Sequence, residues 1–122
     1  MSLPRFLSMT KALSDRTRVR ALMALRDGEL CLCQLVCLLL LAPSTLSKHM
    51  NILTEAGLVQ REKKGRWQYF RLPGKDAPAD VQHAIHGALA ALDNDEEIQR
   101  DRGKVETLLK ADLEKLAECY RS

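Results

Sequence analysis

The sequence predicts a single domain, residues 1–122, that is mainly α-helical and carries one small β-hairpin. Apolar residues make up 46% of the chain but aromatic residues only 4%, so the core must consist mostly of Leu, Ala, Val and Met, as in helical proteins. The apolar residues recur at helical spacing over most of the chain and alternate only between residues 58 and 72. A chain of this length can bury one modest core.

Charge is distributed unevenly along the chain. Residues 1–72 hold 12 Lys and Arg against 5 Asp and Glu, a balance of +7, whereas residues 73–122 hold 7 against 11, a balance of −4. The basic part is therefore the candidate for contact with nucleic-acid phosphates. We expect the acidic part to meet another copy of the protein rather than a polyanion.

The apolar runs predict the compartment of the protein, and the compartment indicates what the cysteines do. The longest apolar run, residues 35–43, is far shorter than the roughly 20 residues that span a bilayer. We also find no charged and apolar leader with a cleavage site, so we expect a cytoplasmic protein without a membrane partner. Thiols stay reduced there, and four cysteines therefore indicate metal binding or redox chemistry before structural disulfides.

The first two helices are predicted by spacing and caps. Residues 3–13 form a short amphipathic helix that accepts Pro4 in its first turn, and residues 1–13 are predicted to be an N-terminal dimerisation helix. Ser14-Asp15 offers the N-cap of a second helix, which ends before Asp27-Gly28. This second helix opens the predicted head, residues 14–72.

Two short helices joined by a brief turn follow. Residues 31–40 form the first, and Pro43-Ser44 begins the second, which runs to about Ala56 and is closed by Gly57. This is the pattern of a helix-turn-helix, whose second helix lies in the major groove of DNA. The candidate DNA contacts on its polar side are Ser44, Thr45, Ser47, Lys48, His49 and Asn51.

The alternating segment, residues 58–72, predicts a β-hairpin with its turn at Gly65. Lys63, Lys64 and Arg66 give the hairpin a basic tip that is suited to phosphates or to a minor groove. A helix-turn-helix followed by such a hairpin is a winged helix-turn-helix.

After the breaks at Pro73-Gly74 and Pro78, residues 79–92 are predicted to be helical, and residues 93–95 cap a last helix that continues to Leu116. We predict that residues 79–120 are dimerisation helices, because their apolar stripes exceed what so small a head could cover.

Three cysteines, Cys31, Cys33 and Cys37, fall within seven residues. On a helix Cys33 and Cys37 share one face, but Cys31 and Cys33 point about 200° apart. To bind one ion together, either Cys31 must lie in a non-helical lead-in or binding must unwind the first turn. The alternative is that these cysteines are small buried apolar side chains.

Five segments carry a resemblance to a known family. In this order and spacing they resemble the arsenic- and zinc-responsive ArsR–SmtB family of bacterial winged-helix repressors; the segments are residues 12–18, 29–33, 47–50, 57–59 and 65–72. The resemblance implies a homodimer that binds double-stranded operator DNA with an inverted repeat, represses a resistance operon, and releases the DNA when a toxic ion binds.

The cysteine element resembles that of the arsenic-sensing branch. Cys31 and Cys33 match two thiols of its motif, whereas Cys37 lies one residue beyond the position of the third, and Leu40 replaces the more usual glycine or polar residue of the turn. The inducer implied is trivalent arsenic or antimony bound by three thiolates. The number of cysteines in the element favours the same inducer, because trivalent arsenic makes three bonds while zinc prefers four ligands. No organic cofactor and no enzymatic activity are expected.

The conflict between the directions of Cys31 and Cys33 on a helix suggests how the switch would act. The cysteine helix supports the recognition helix, so a distortion at its start should tilt the DNA-reading surface.

Other functions remain open. Asp80, His83 and His86 could bind zinc at a second site, although they do not match the motif of the zinc-sensing branch. Cadmium or lead could bind the thiols with a borrowed ligand. A thiol redox sensor on the same scaffold would release DNA when Cys31 or Cys33 oxidises or forms a disulfide with Cys37. Cys119 has no partner nearby in sequence.

Overall fold

A computed structural model describes residues 1–113 and 115–116, so Cys119 lies outside the described residues. Within them the chain is mostly helical with a small antiparallel sheet, which confirms the predicted fold class. The elements are α1 (Leu3–Ala12), α2 (Arg16–Ala24), a 3₁₀ turn (Leu25–Asp27), β1 (Leu30–Cys31), α3 (Leu32–Leu39), α4 (Pro43–Glu55), β2 (Gln60–Lys64), β3 (Trp67–Arg71), α5 (Ala79–Leu92) and α6 (Glu96–Lys110).

The helix starts follow the caps read in the sequence. Asp15 caps α2 and Asp95 caps α6, and each carboxylate accepts the backbone N–H three residues further on. Pro4 and Pro43 occupy first turns, where the absence of an N–H costs nothing. Local chemistry therefore sets where these helices begin.

The sheet has the strand order β1-β3-β2, and both pairings are antiparallel. The hairpin of β2 and β3 was predicted, and Gly65 adopts a positive φ of 62° in its turn. The assignment of Cys31 to a helix was wrong, because Leu30 and Cys31 pair with Phe70 and Tyr69. A two-residue strand is too short to show an alternating pattern.

The core lies between α2, α3, α4 and the sheet. Leu22, Leu35, Leu46, Leu53 and Phe70 are among its fully buried side chains. Nearly every residue of α3 is buried, so this helix is enclosed by its neighbours. Between α3 and α4 the chain direction turns by 110°, within the range of helix-turn-helix pairs.

No single helix of the described chain is long and apolar enough to cross a bilayer. Only α3 and α4 taken together reach that length, across their bend.

Helix α6 packs on the head of its own chain. Ile98 and Val105 are buried, and the buried carboxylate of Asp101 accepts hydrogen bonds of 2.8 and 2.9 Å from the guanidinium of Arg20 in α2. The head therefore covers much of the apolar stripe that was predicted to exceed it. The predicted last helix, with its apolar stripe to Leu116, is interrupted, since α6 ends at Lys110, Ala111 is extended, and helical residues appear again from Leu113.

Candidate thiol site and DNA-binding surface

Cys31 occupies the junction between the sheet and α3. It is the last residue of β1 and the N-cap of α3, with the extended angles φ −81° and ψ 162°. Its backbone N–H donates to Oε1 of Gln34 at 2.8 Å, and it pairs across the sheet with Tyr69. Cys31 thus lies in a non-helical lead-in, which was one of the two arrangements that could direct it towards Cys33.

The structure brings two of the three predicted ligands together. Cys31 and Cys33 are joined as a disulfide, with Cα atoms 5.4 Å apart, and both are buried. Cys37 is half-buried one helical turn beyond Cys33 and is not part of this disulfide. Among the described residues no three His, Cys, Asp or Glu side chains form a group arranged for a metal ion. Reduction of this disulfide would give two adjacent thiols, the donor chemistry that a soft ion prefers.

A cleft of about 310 Å³ separates the start of α3 from the wing, the β2–β3 hairpin. Cys33 and Leu32 form one wall, and the wing residues Lys63, Arg66, Trp67 and Gln68 form the rest. The Arg66 guanidinium lies 4.8 Å from the centroid of the Trp67 ring. The thiol pair and the wing therefore border the same space.

Helix α4 divides into a polar and an apolar side, as predicted. Leu46, Met50 and Leu53 are buried in the core. The predicted DNA contacts of this helix lie at exposed positions, apart from Ser47 and His49, which are half-buried; the exposed ones are Ser44, Thr45, Lys48 and Asn51. This arrangement leaves a polar surface outside the core.

His49 lies against the start of α2. Its Nδ1 is 3.1 Å from a guanidinium nitrogen of Arg18 and 4.0 Å from a carboxylate oxygen of Asp15. Partial burial raises the pKa of Asp15, but the N–H of Arg18 and the charges of Arg18 and His49 outweigh it and hold that pKa below its usual value. A DNA contact by His49 stays a prediction.

Lys63, Lys64 and Arg66 are exposed around the turn of the wing, where the sequence predicted them. Lys64 also makes a contact that the sequence did not reveal. Its Nζ donates to Oε1 of Glu29 at 2.7 Å, and this hydrogen bond raises the pKa of Lys64. Since Glu29 directly precedes β1, the pair links the wing tip to the cysteine element.

The predicted second metal site does not form within the described chain. His83 and His86 are exposed on α5, and Oδ1 of Asp80 accepts the backbone N–H of Val81 at 2.9 Å. These residues therefore have no ligand geometry in one copy of the chain.

Residues 15–61 match the family model described as "Bacterial regulatory protein, arsR family". The chain is 39% identical over 82 residues to the arsenic resistance transcriptional regulator ArsR1 of Pseudomonas putida, an alignment that covers 66% of this chain and 63% of ArsR1. It is 35% identical over 82 residues to ArsR2 of the same organism, covering 66% of this chain and 70% of ArsR2. The chain thus spans somewhat less than two thirds of ArsR1 and somewhat more than two thirds of ArsR2.

The fold is similar to that of a solved structure from Mycobacterium bovis, described as a homodimeric winged helix-turn-helix DNA-binding domain of a possible ArsR-family transcriptional regulator. The TM-score is 0.64 at 25% identity, over 75% of this chain and 81% of that one. The family model, the relatives and the fold likeness agree with one another. The chain belongs to the ArsR family of bacterial regulatory proteins.

Proposed function

We propose that this protein is a transcriptional repressor that binds operator DNA as a dimer and releases it when trivalent arsenic or antimony binds Cys31, Cys33 and Cys37. The observation that carries the proposal is the adjacency of Cys31 and Cys33, joined as a disulfide at the junction of the wing sheet and the helix-turn-helix, because its reduction gives two neighbouring thiols. The relatives in Pseudomonas putida are arsenic resistance regulators, which agrees with this inducer.

DNA binding is supported by the surface of the head. Helix α4 exposes polar side chains, the wing tip exposes three cations, and residues 1–72 carry the positive charge excess. Such a surface can place α4 in a major groove and the wing on the flanking phosphates. An inverted-repeat operator fits two copies of this surface related by a twofold axis.

Pairing of two copies is supported by α1. Leu3, Phe6 and Leu7 are 69%, 50% and 54% exposed, an apolar side that the described residues of the same chain leave uncovered. A solvent-facing stripe of this kind on a short helix is typical of an interface. The homodimeric relative from Mycobacterium bovis agrees with this assembly.

Inducer binding is a ligand exchange without oxidation or reduction. Arsenous acid, As(OH)₃, reacts with three thiols to form three As–S bonds and release three waters. Cys31 and Cys33 provide the first two sulfurs in their reduced form. Cys37, one turn along α3 with its Cβ about 5–6 Å from that of Cys33, is the third.

The signal reaches DNA by two routes. Cys31 belongs to the strand that pairs with β3, so a bond from arsenic to Cys31 displaces the strand that borders the wing. Helix α3 also packs against α4, which connects the same site to the recognition helix. Because the two binding events are linked, DNA must weaken arsenic binding by the factor by which arsenic weakens DNA binding.

Two variants separate the DNA surface from the thiol site. Lys48→Ala removes an exposed cation of α4 and should weaken operator binding while arsenite binds as before, whereas Lys75→Ala, an exposed lysine outside the head, should change neither. Cys33→Ser should bind the operator normally and fail to bind arsenite. Calorimetric titration and DNA gel shifts measure both properties, and loss of operator binding in Cys33→Ser would make the cysteines structural.

The disulfide favours one second candidate, a thiol redox sensor. The structure pairs Cys31 with Cys33, not either of them with Cys37 as the redox alternative had it. Oxidation by peroxide would convert two thiols into this disulfide and two waters. Cys37→Ser distinguishes the candidates, since it should weaken release by arsenite and leave release by peroxide unchanged.

A further inference from the structure

The guanidinium of Arg18 connects helices α1, α2 and α4. Its Nε donates to the carbonyl of Ala12 at 2.8 Å, and one terminal nitrogen donates to the carbonyl of Lys11 at 3.2 Å. Both carbonyls belong to the last turn of α1, where they have no partner within the helix itself. The other terminal nitrogen lies 3.1 Å from Nδ1 of His49 in α4. Arg18 is thus anchored on α1 where it meets the imidazole ring.

The chemistry of the guanidinium determines where the ring carries its hydrogen. A guanidinium stays charged and can only donate hydrogen bonds, so Nδ1 of His49 must accept from Arg18. In the neutral ring the hydrogen then lies on Nε2. Protonation adds a hydrogen at Nδ1 while Nε2 keeps its own, so Nε2 is a donor in either form. The carboxylate oxygen of Asp15 does not change this, because it is 4.0 Å from Nδ1 and accepts the backbone N–H of Arg18.

The Nε2 atom of His49 is available to a partner outside the chain. Within the described residues it makes no hydrogen bond, and no buried polar side-chain atom there lacks a partner. Nε2 must therefore be accessible to solvent. The ring follows the exposed Lys48 in α4, the helix whose polar side forms the candidate DNA surface.

We propose that Arg18 is a positioning residue that makes His49 a dedicated hydrogen-bond donor to operator DNA, through Nε2–H. The inference rests on the proposed operator binding and adds a residue that acts without touching DNA. Acceptors in the major groove are N7 and O6 of guanine, N7 of adenine and O4 of thymine, and phosphate oxygens offer the same chemistry. A ring fixed as a donor cannot accept from the amino groups of cytosine or adenine, so a base contact would discriminate against them.

NMR of the ¹⁵N-labelled full chain measures the position of the hydrogen, since long-range ring spectra distinguish Nε2–H from Nδ1–H. The His49→Gln variant identifies the signals of His49 among the three histidines. We expect neutral His49 to be the Nε2–H form throughout, whereas the exposed His83 and His86 should exchange between both forms. In Arg18→Gln, whose amide can donate or accept, His49 should gain the second form. A parent ring with its hydrogen on Nδ1 would overturn the proposal.

Gel shifts with a promoter fragment of the protein's own operon, and selection from a library of randomised half-sites, measure the effect on DNA. His49→Ala and Arg18→Gln should each weaken binding about three- to tenfold, the range for one hydrogen bond. The double variant should lose no more than the weaker single variant, because both changes remove one contact. Loss of preference at one base pair would assign the acceptor to a base, and equal loss on all sequences would assign it to a phosphate.

Two control variants separate this role from charge and from folding. Arg16→Gln removes the same charge from an exposed position of α2 and should leave binding unchanged. Arg18→Lys keeps a side chain that only donates, and it should restore the Nε2–H form and the binding that Arg18→Gln loses. If the losses of Arg18→Gln and His49→Ala add, or Arg18→Gln binds like the parent, the inference is overturned while operator binding stands. If the parent protein does not bind the fragment, the proposed function itself fails.

Discussion

Leu40, in the turn between α3 and α4, has a left-handed backbone with φ 56° and ψ 42°. Among the described residues it alone has positive φ without being glycine. The conformation costs an ordinary residue about 1–2 kcal/mol because Cβ approaches the following carbonyl. Its side chain is 82% exposed and offsets little of this cost by burial.

Leu40→Gly should therefore stabilise the protein by up to about 1 kcal/mol, after the greater unfolded-state entropy of glycine is subtracted. Urea unfolding measures the gain as a higher midpoint concentration, provided that the free energy of unfolding falls with urea at the same slope in both proteins. Leu40→Ala is the matched control, since it removes the exposed side chain but keeps Cβ and should give no comparable gain. A glycine variant less stable than the alanine variant would contradict this account of the turn.

Residue identity made Cys31, Cys33 and Cys37 the candidate ligands, which stays a prediction, but it did not predict how the three side chains are arranged. Helical spacing indicated that a regular helix could not direct Cys31 and Cys33 to one ion, because residues two apart point to opposite sides, and the structure places Cys31 before α3. It could not reveal the contact of Glu29 with Lys64, since these residues are 35 positions apart and either charge is also consistent with a solvated surface. Contacts of that kind depend on the strand pairing, which local sequence does not specify.

Among the elements, strand β1 connects the candidate thiol site to the wing. Through the pairs Leu30 with Phe70 and Cys31 with Tyr69, the cysteine element becomes the third strand of the wing sheet. The Lys64–Glu29 ion pair adds a second link at the tip. The wing is thus a direct neighbour of the candidate thiol site, in addition to helix α4, which the sequence singled out.

Hydrogen exchange of the reduced protein should show this coupling. Arsenite should change amide exchange in the wing, residues 58–72, as well as in α3, because the β1–β3 hydrogen bonds respond to Cys31. Helix α5 serves as the internal reference and should be unaffected. A response confined to α3 and α4 would contradict transmission through the sheet.

Elements with caps or turn glycines were predictable, and those without such signals were not. Asp15, Asp95 and Gly65 marked the starts of two helices and the turn of the wing. The end of α6 at Lys110 has no such signal, because Leu113 and Leu116 continue the helical spacing beyond it. Strand β1 is too short for periodicity, and only its tertiary partner β3 makes it a strand.

For the whole molecule the decisive feature is the exposed apolar side of α1. The fold class was predictable from the order of the elements and from residue 58 onward, where the apolar residues change from helical spacing to alternation. Residues 1–13 and 79–120 were both predicted to be dimerisation helices, and the sequence could not rank them because the apolar stripes on α1, α5 and α6 look alike. The head buries Ile98 and Val105 of α6, although Leu109 is 49% exposed, and Leu3, Phe6 and Leu7 of α1 lie outside the core.

Phe6→Glu should shift the protein from dimer to monomer, since a carboxylate cannot be buried in an apolar interface without a partner. Operator affinity should fall with it, because two half-sites must then be bound independently. Sedimentation velocity and gel shifts measure the two effects. Ser8→Glu, at an exposed polar position of the same helix, should alter neither, and a dimeric Phe6→Glu would place the interface elsewhere.

The central claim, release of operator DNA through the thiol pair, is tested most directly by fluorescence anisotropy. Reduced protein bound to a labelled promoter fragment of its own operon is titrated separately with arsenite, zinc and peroxide. We expect arsenite to release the DNA, with the effect abolished in Cys33→Ser and weakened in Cys37→Ser. Release by zinc alone or by peroxide alone, or release by arsenite that persists in Cys33→Ser, would contradict the account.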